Sequence, residues 1–410
     1  MFATDVTRLT APRNAAVVVA LAVTGFSMRT AVTSVGSALD EIEGGLHTSS
    51  GVAGLLTTMP VVCFAALGWI TPAAAARFGP HRVLEGALAV ATAGTVLRAF
   101  APSIWTLLAL SVLALAGGAV ANVLLPSLVK LHFPDRIGAM TAVYTTGLAL
   151  GTTAAAGLTV PIGDLGDGWR LGIGGWALFA AVAILPWLPT LRREIRPAPE
   201  DRRTRRVSLG RSRTAWVLTG FFAAQSGLAY IGFGWMARFM HAHGVSESTA
   251  GWMVALMSAI GIPVSMVVPL IPARRHRALV IALSASFVVC FLGLGLAPVG
   301  GAWIWMIAYG IGNGFFPLVL TMIGMRSRTP ATTAALSAFA QAIGYLIAGT
   351  GPVLFGVLYG QTGSWVLPLG LMWLALGLAT VSGWFACAHR YVDDEVKPAR
   401  MPTAVAAPTT

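Results

Sequence analysis

The chain has 410 residues, of which 56% are hydrophobic and 10% charged, against roughly 25% charged in a soluble globular protein, so water is excluded as its solvent throughout. A formal charge of +12 would suggest nucleic-acid binding in a soluble chain, but here the basic residues fall in short segments between apolar runs. A bilayer core about 30 Å thick takes about 20 apolar residues per helix, so this length allows about a dozen crossings.

Hydropathy and punctuation predict a first span over 14–39. Arg8 and Arg13 ahead of it imitate a signal peptide, but the apolar run from Ala15 to Val35 outlasts a signal's hydrophobic region and reads as a retained span. Arg29 sits near its middle, where an unpaired cation costs at least about 2.5 kcal/mol to insert. Helical spacing sets Thr33 and Ser37 on the same face, with Gly25 and Phe26 one turn earlier, so a polar stripe turns inward. Arg29 then either bonds backbone carbonyls or a neighbouring acid, or meets an anionic or strongly polar solute through its planar fork of donors. The acids favour the second role. Asp40, Glu41, Glu43, Asp164, Asp167 and Glu247 fall at one expected membrane surface, and Glu85 and Asp135 near the other.

Spans two to six are expected over 51–74, 83–101, 103–129, 138–161 and 171–190. The fourth contains Asn122-Val-Leu-Leu-Pro126. A proline inside a helix frees the carbonyl four residues earlier, here that of Asn122, and a polar cavity satisfies such a group where lipid does not. The alternative is a kink whose amide bonds a neighbouring helix. Lys130 continues the same face where the span meets the surface, either as a snorkelling lysine or as a partner of Glu85 in an inner gate. Asp40, Glu85 and Lys130 are thus the candidates for gating or coupling.

A basic stretch with Pro197 and Pro199 follows, at 192–213, too charged to insert and too long for a tight turn. It reads as a linker between an N-terminal half, 1–191, and a C-terminal half, 214–389. The remaining spans are expected over 214–240, 249–272, 278–298, 301–325, 331–359 and 364–388, with 390–410 a tail expected to be disordered. Gln225, Ser226 and Tyr230 lie at middle depth in the seventh span, and Ser337, Gln341 and Tyr345 form a polar stripe in the eleventh. The tenth repeats the fourth with Asn313-Gly-Phe-Phe-Pro317, and Ala250-Gly251 and Pro269 repeat Ala53-Gly54 and Pro72. Such a repeat implies an all-α membrane protein, with twelve transmembrane helices in two pseudo-symmetric six-helix bundles and a solute held between them near mid-membrane. The glycines Gly147, Gly151, Gly310, Gly312, Gly314, Gly349, Gly351 and Gly356 serve close helix packing.

With both termini cytoplasmic, nearly all Lys and Arg, including Arg77, Arg82, Arg136, Arg274, Arg275, Arg277, Arg326 and Arg328, fall on the cytoplasmic side, as the positive-inside rule requires. Only Arg29, Arg98, Arg170 and Arg238 fall elsewhere. Cys63, Cys290 and Cys387 lie in separate apolar segments without metal or redox spacing. No HExxH or convergent set of acids and histidines suggests an enzyme, a metal site or a cofactor.

At Arg29 to Leu39, Gly54-Leu-Leu-Thr-Thr-Met-Pro60, Asn122 to Lys130, Phe133-Pro-Asp-Arg136 and Gln341-Ala-Ile-Gly-Tyr345, the chain resembles the cyanate and nitroimidazole transporter family, a branch of the major facilitator superfamily. The resemblance spans nearly all twelve segments. It implies a monomeric, multi-pass permease of the bacterial inner membrane for a small anionic or polar nitrogenous solute, with a proton as candidate coupling ion and no nucleic acid as partner. Arg29, Asn122, Lys130, Gln341 and Tyr345 resemble the family's polar positions. Together with Thr33, Gln225, Tyr230 and Asn313, all but Lys130 form the expected solute site. The superfamily signature after the second span is only partly present: Arg77 and Gly79 match, but Pro72 and Ala76 replace its glycine and aspartate. Proton-driven efflux of toxic organic molecules is the alternative activity, with Trp235, Trp252, Trp303, Trp305 and Phe315 as candidate lining.

Overall fold

The structure, a computed structural model, describes residues 12–48, 50–191 and 209–396; most of the expected linker, 192–208, lies outside them. The described residues form helices and turns only. The first span is split into α1 (Pro12–Ser27) and α2 (Thr30–Ser37), followed by the short α3 (Leu39–Leu46). Spans two to five are α4 (Ser50–Phe78), α5 (Pro80–Ala99), α6 (Ile104–His132) and α7 (Ile137–Asp164). The sixth is assembled from α8 (Trp169–Gly174), α9 (Ala177–Ile184) and α10 (Leu188–Leu191). The second half holds α11 (Arg213–Ala242), α12 (Glu247–Val267) and α13 (His276–Leu296). Its tenth span is divided into α14 (Ala302–Gly312) and α15 (Phe315–Met325), and α16 (Pro330–Thr362), α17 (Val366–Ala386) and a last short helix, α18 (Val392–Glu395), follow.

Ten of these stretches are long and apolar enough to cross a membrane by length and composition. The two that complete the twelve-helix fold are α5, diluted by His81, Arg82, Glu85 and Arg98, and α7, diluted by threonines and glycines. Both are packed on partners of their own half, α5 on α6 and α7 on α1, so His81, Glu85 and Arg98 of α5 and Thr141, Thr145, Gly147, Gly151 and Thr159 of α7 are buried in protein. Gly25 on α1 and Gly147 and Gly151 on α7 let the two backbones touch: a Cβ on any of the three would collide with a carbonyl of the facing helix. The halves meet where α4 packs on α16 and α7 on α12, with α6 against α16 and α15 between them.

Besides the sixth span, divided into three pieces where a single helix is expected over 171–190, the first and tenth depart from the single helices expected over 14–39 and 301–325. In the first, Ser27 Oγ donates to the Thr24 carbonyl and Thr30 Oγ1 to the Ser27 carbonyl, both at 3.0 Å. Hydroxyls bonded to their own backbone in this way loosen a helix. Gly118 of α6 gives room for the Met28 carbonyl at the same point. Arg29 therefore sits at the joint, with φ −111° and ψ −8°. In the tenth span the chain turns at Asn313 and Gly314, and Phe316 N–H donates back to the Asn313 carbonyl at 3.1 Å.

The segment after the twelfth span, expected to be loose from residue 390, is ordered through Val396 because its acids find donors. Asp393 accepts from the Arg328 N–H and Thr332 Oγ1, both at 2.7 Å. Asp394 forms a two-point ion pair with Arg328. Glu395 accepts from Ser212 Oγ, Thr214 N–H and Thr214 Oγ1 at 2.7, 2.9 and 2.6 Å. Val392 is fully buried. This acidic clasp joins the starts of α11 and α16 to the end of α15 at the end of the bundle that carries most Arg and Lys, hereafter the basic end.

Candidate functional site

The split in α1/α2 turns Arg29 into a cavity between the halves. Arg29, Gln225, Tyr230, Asn313 and Tyr345 line it, with Thr152 and Thr153 of α7, Ser226 of α11, Ser258 of α12 and an apolar wall that includes Phe233, Met257, Val264 and Phe316. The space open to the centre of a water-sized sphere is about 120 Å³. The cavity therefore has room for a small solute.

Arg29 is the one charged side chain among the described lining residues. Its guanidinium faces the hydroxyls of Tyr230 and Tyr345 and lies 5.9 Å from the Phe316 ring centroid. Arg29 Nε and both tyrosine hydroxyls are nevertheless buried without a hydrogen bond of normal geometry. Buried polar atoms in native proteins are nearly always satisfied, so an arginine that meets two neutral hydroxyls in poor geometry and keeps its Nε without an acceptor marks a place for a further acceptor. The tyrosine rings themselves are held firmly: Tyr345 meets Phe222 edge-on at 5.0 Å and Phe64 at 5.6 Å. Gln225 is tied by its amide to Ser226 Oγ at 2.6 Å.

Thr33, Asn122 and Gln341 do not line this cavity. The Thr33 N–H donates to the Arg29 carbonyl at 2.9 Å, closing the first turn of α2. Asn122 and Gln341 form a bridge between the halves: the carbonyl freed by Pro126 accepts from Gln341 Nε2 at 2.8 Å and Ser337 Oγ at 3.4 Å. The Asn122 amide and Gln341 Oε1 stay unpaired. More bonds between the halves lie towards the basic end, where Ser127 Oγ donates to the Pro330 carbonyl at 2.7 Å, Lys130 Nζ to the Gly324 carbonyl at 3.4 Å and Thr145 Oγ1 to the Ser265 carbonyl at 3.3 Å. Lys130 also faces Asp393 of the clasp. It therefore turns to the second half. Glu85 is buried on α5, one turn beyond His81, whose Nε2 meets His132 Nε2 at 2.9 Å. Asp40 belongs to α3, and its side chain lies outside the described residues.

Sequence reasoning passed over Arg98. This fully buried residue on α5 donates from Nη1 to the Ala31 carbonyl at 2.8 Å and from Nη2 to Ser34 Oγ at 3.1 Å and the Ile173 carbonyl at 3.4 Å. It braces α2 against α8. Its signal was weaker than that of Arg29, since Arg98 is an arginine inside an apolar segment but close to that segment's end. The lining hydroxyls of α7 and α12 had no comparable signal, since threonine and serine are common in membrane helices.

Comparison with known proteins fits this architecture. The chain is 32% identical over 380 residues to the 2-nitroimidazole transporter of Escherichia coli (strain K12), covering 90% of this chain and 94% of that one. To the cyanate transport protein CynX of the same organism it is 27% identical over 371 residues, covering 88% and 96%. Among solved structures it superposes on the proton:xylose symporter XylE with a TM-score of 0.73 at 12% identity, covering 93% of this chain and 98% of that one; this likeness is one of fold. The family model for the Major Facilitator Superfamily matches residues 21–352. Since that match runs from the first span into the eleventh, the chain belongs to the Major Facilitator Superfamily and is a membrane transport protein rather than an enzyme.

Proposed function

We propose that this protein is a secondary transporter for a small anionic or polar nitrogenous solute, of the size of cyanate or a nitroimidazole, with Arg29 in direct contact with it. The observation that carries this reading is Arg29, whose Nε has no acceptor and whose guanidinium faces only the neutral hydroxyls of Tyr230 and Tyr345, in a cavity whose described lining holds no carboxylate. A guanidinium and two phenols offer donors to an acceptor-rich solute, and Phe316 and Tyr345 offer faces to a planar one. The halves rock about this site in turn. The basic end faces the cytoplasm, which puts both termini inside a bacterial cytoplasmic membrane, and the protein works as a monomer. Asn122 and Gln341 meet the solute as their bridge opens, and Lys130 with the clasp acid Asp393 holds the inner gate.

The test is uptake of labelled cyanate and of 2-nitroimidazole into proteoliposomes by the parent protein and by Arg29→Ala. Transport by the parent that falls at least about 100-fold in the variant is the expected result. Equal transport by both removes Arg29 from the site. The apolar wall of Phe233, Met257, Val264 and Phe316 favours a second reading, proton-driven efflux of uncharged or acidic aromatic compounds. Resistance on expression that vanishes when the proton gradient is collapsed selects that one.

A further inference from the structure

We infer that the transporter is a compulsory exchanger of monovalent anions, in which the loaded protein changes sides and the unloaded one does not. This rests on the reading of Arg29 as the solute contact and adds the mode of transport and the charge of the cargo.

Arg29 is the single charge among the described lining residues, and its polar neighbours are the neutral hydroxyls of Tyr230 and Tyr345. No described carboxylate or histidine lines the cavity to supply a counter-charge or to trade a proton for one. Between its two open states a transporter of this architecture passes through a form closed at both ends. With the cavity open at one end, water reaches the guanidinium. Closure without cargo strips that water and leaves a cation with nothing to balance it. At the mid-membrane cost of an unpaired cation, such a form is on the order of 100-fold rarer than its balanced counterpart.

One monovalent anion against Arg29 brings the cavity charge to zero. A neutral solute leaves one positive charge, and a divalent anion leaves one negative. The device therefore selects charge as well as shape, and it ties the conformational change to the presence of cargo on whichever side the protein faces. The bonds near the basic end, Ser127 to Pro330, Lys130 to Gly324 and Thr145 to Ser265, hold the unloaded protein shut there until an anion arrives.

The experiment reads the conformational change directly and needs no transported solute. Spin labels at Asp135→Cys and Arg274→Cys, exposed positions of opposite halves at the basic end, report the distance across that end in the purified full-length protein. In anion-poor buffer the parent should hold one short distance. Arg29→Met should show a second, longer distance in the absence of any solute, with its population raised by at least about tenfold. Asn313→Asp, an isosteric change that puts a carboxylate into the same cavity, should do the same, and it guards against a folding defect peculiar to the Arg29 variant. Adding cyanate should produce the longer distance in the parent only. An unloaded parent that populates both distances as freely as Arg29→Met overturns the exchange mechanism, even where cyanate is carried. If both variants free the unloaded protein but neither cyanate nor 2-nitroimidazole is transported, the choice of solute fails and the exchange mechanism stands.

Discussion

Arg98 and Arg29 both lie within the helix bundle with no acid among their described partners, and their surroundings differ. Arg98 spends both Nη groups on the Ala31 and Ile173 carbonyls and Ser34 Oγ, all fixed parts of the first half, and leaves only its Nε without a partner. Arg29, a short way along the chain from those acceptors, faces the second half across a cavity and keeps its Nε unpaired. A buried charge satisfied by its own framework contributes to stability; one left unsatisfied at a cavity is held ready for something that comes and goes. The clasp at the basic end extends the contrast, because Asp393, Asp394 and Glu395 all have donors from elements of their own half.

The largest expected effect is on transport. Arg29→Met should lower solute flux at least about 100-fold while leaving the thermal midpoint of the detergent-solubilised protein within a few degrees of the parent; a large fall in that midpoint would make Arg29 a second brace. Arg98→Met should do the reverse. Losing a hydrogen bond to a charged group costs about 1.5–3 kcal/mol, so thermal unfolding should come markedly earlier, with hydrogen exchange rising first at 30–37 and 169–174. A smaller effect belongs to the phenols: the pair Tyr230→Phe and Tyr345→Phe should weaken solute binding about tenfold, measured by titration, with little change in stability because the only partner of each hydroxyl, Arg29, is met in poor geometry. The smallest concerns the clasp. Glu395→Gln should cost about 1 kcal/mol, visible as faster hydrogen exchange at 391–396, with flux intact.

The clasp also has a pH signature. The ion pair with Arg328 holds Asp394 below the ordinary carboxylate value. Burial opposes ionisation of Glu395, but hydrogen bonds from Thr214 and Ser212 outweigh it and hold its carboxyl low as well. Groups depressed in the folded state contribute stability above their unfolded values, and that contribution is lost as pH falls through the folded ones. Protection of 391–396, the exchange rate taken relative to the intrinsic amide rate at each pH, should therefore be flat from neutral pH down to about 4.5, the ordinary glutamate value, and fall only below it.

Much of this was readable from residue order. The helical spans follow from where apolar runs stop and charges begin, and Arg29 stands out by its position alone. The repeated Asn-x-x-x-Pro shows the limit. In α6 the freed Asn122 carbonyl finds Gln341 of the other half, and the helix stays continuous. In the tenth span, Gly312 and Gly314 flank Asn313, the carbonyl is taken by the local turn, and the helix divides. The motif is the same, and its outcome depends on a donor about 200 residues away in sequence. The joint at Arg29 was hidden for a similar reason. Its causes are two hydroxyls and a glycine on another helix rather than a proline in its own.

That joint is bridged from outside. Trp187 Nε1 donates to Thr24 Oγ1 at 2.9 Å, fastening α1, while the Ile173 carbonyl holds α2 through Arg98. Both anchors belong to the sixth span, fourteen residues apart, or roughly 20 Å at the rise of a helix. The first span is thus a bow with Arg29 at its bend, and the sixth span is its string. Flexing the bend swings the guanidinium without lengthening the string, so the first half can move its one cavity charge while remaining a rigid body.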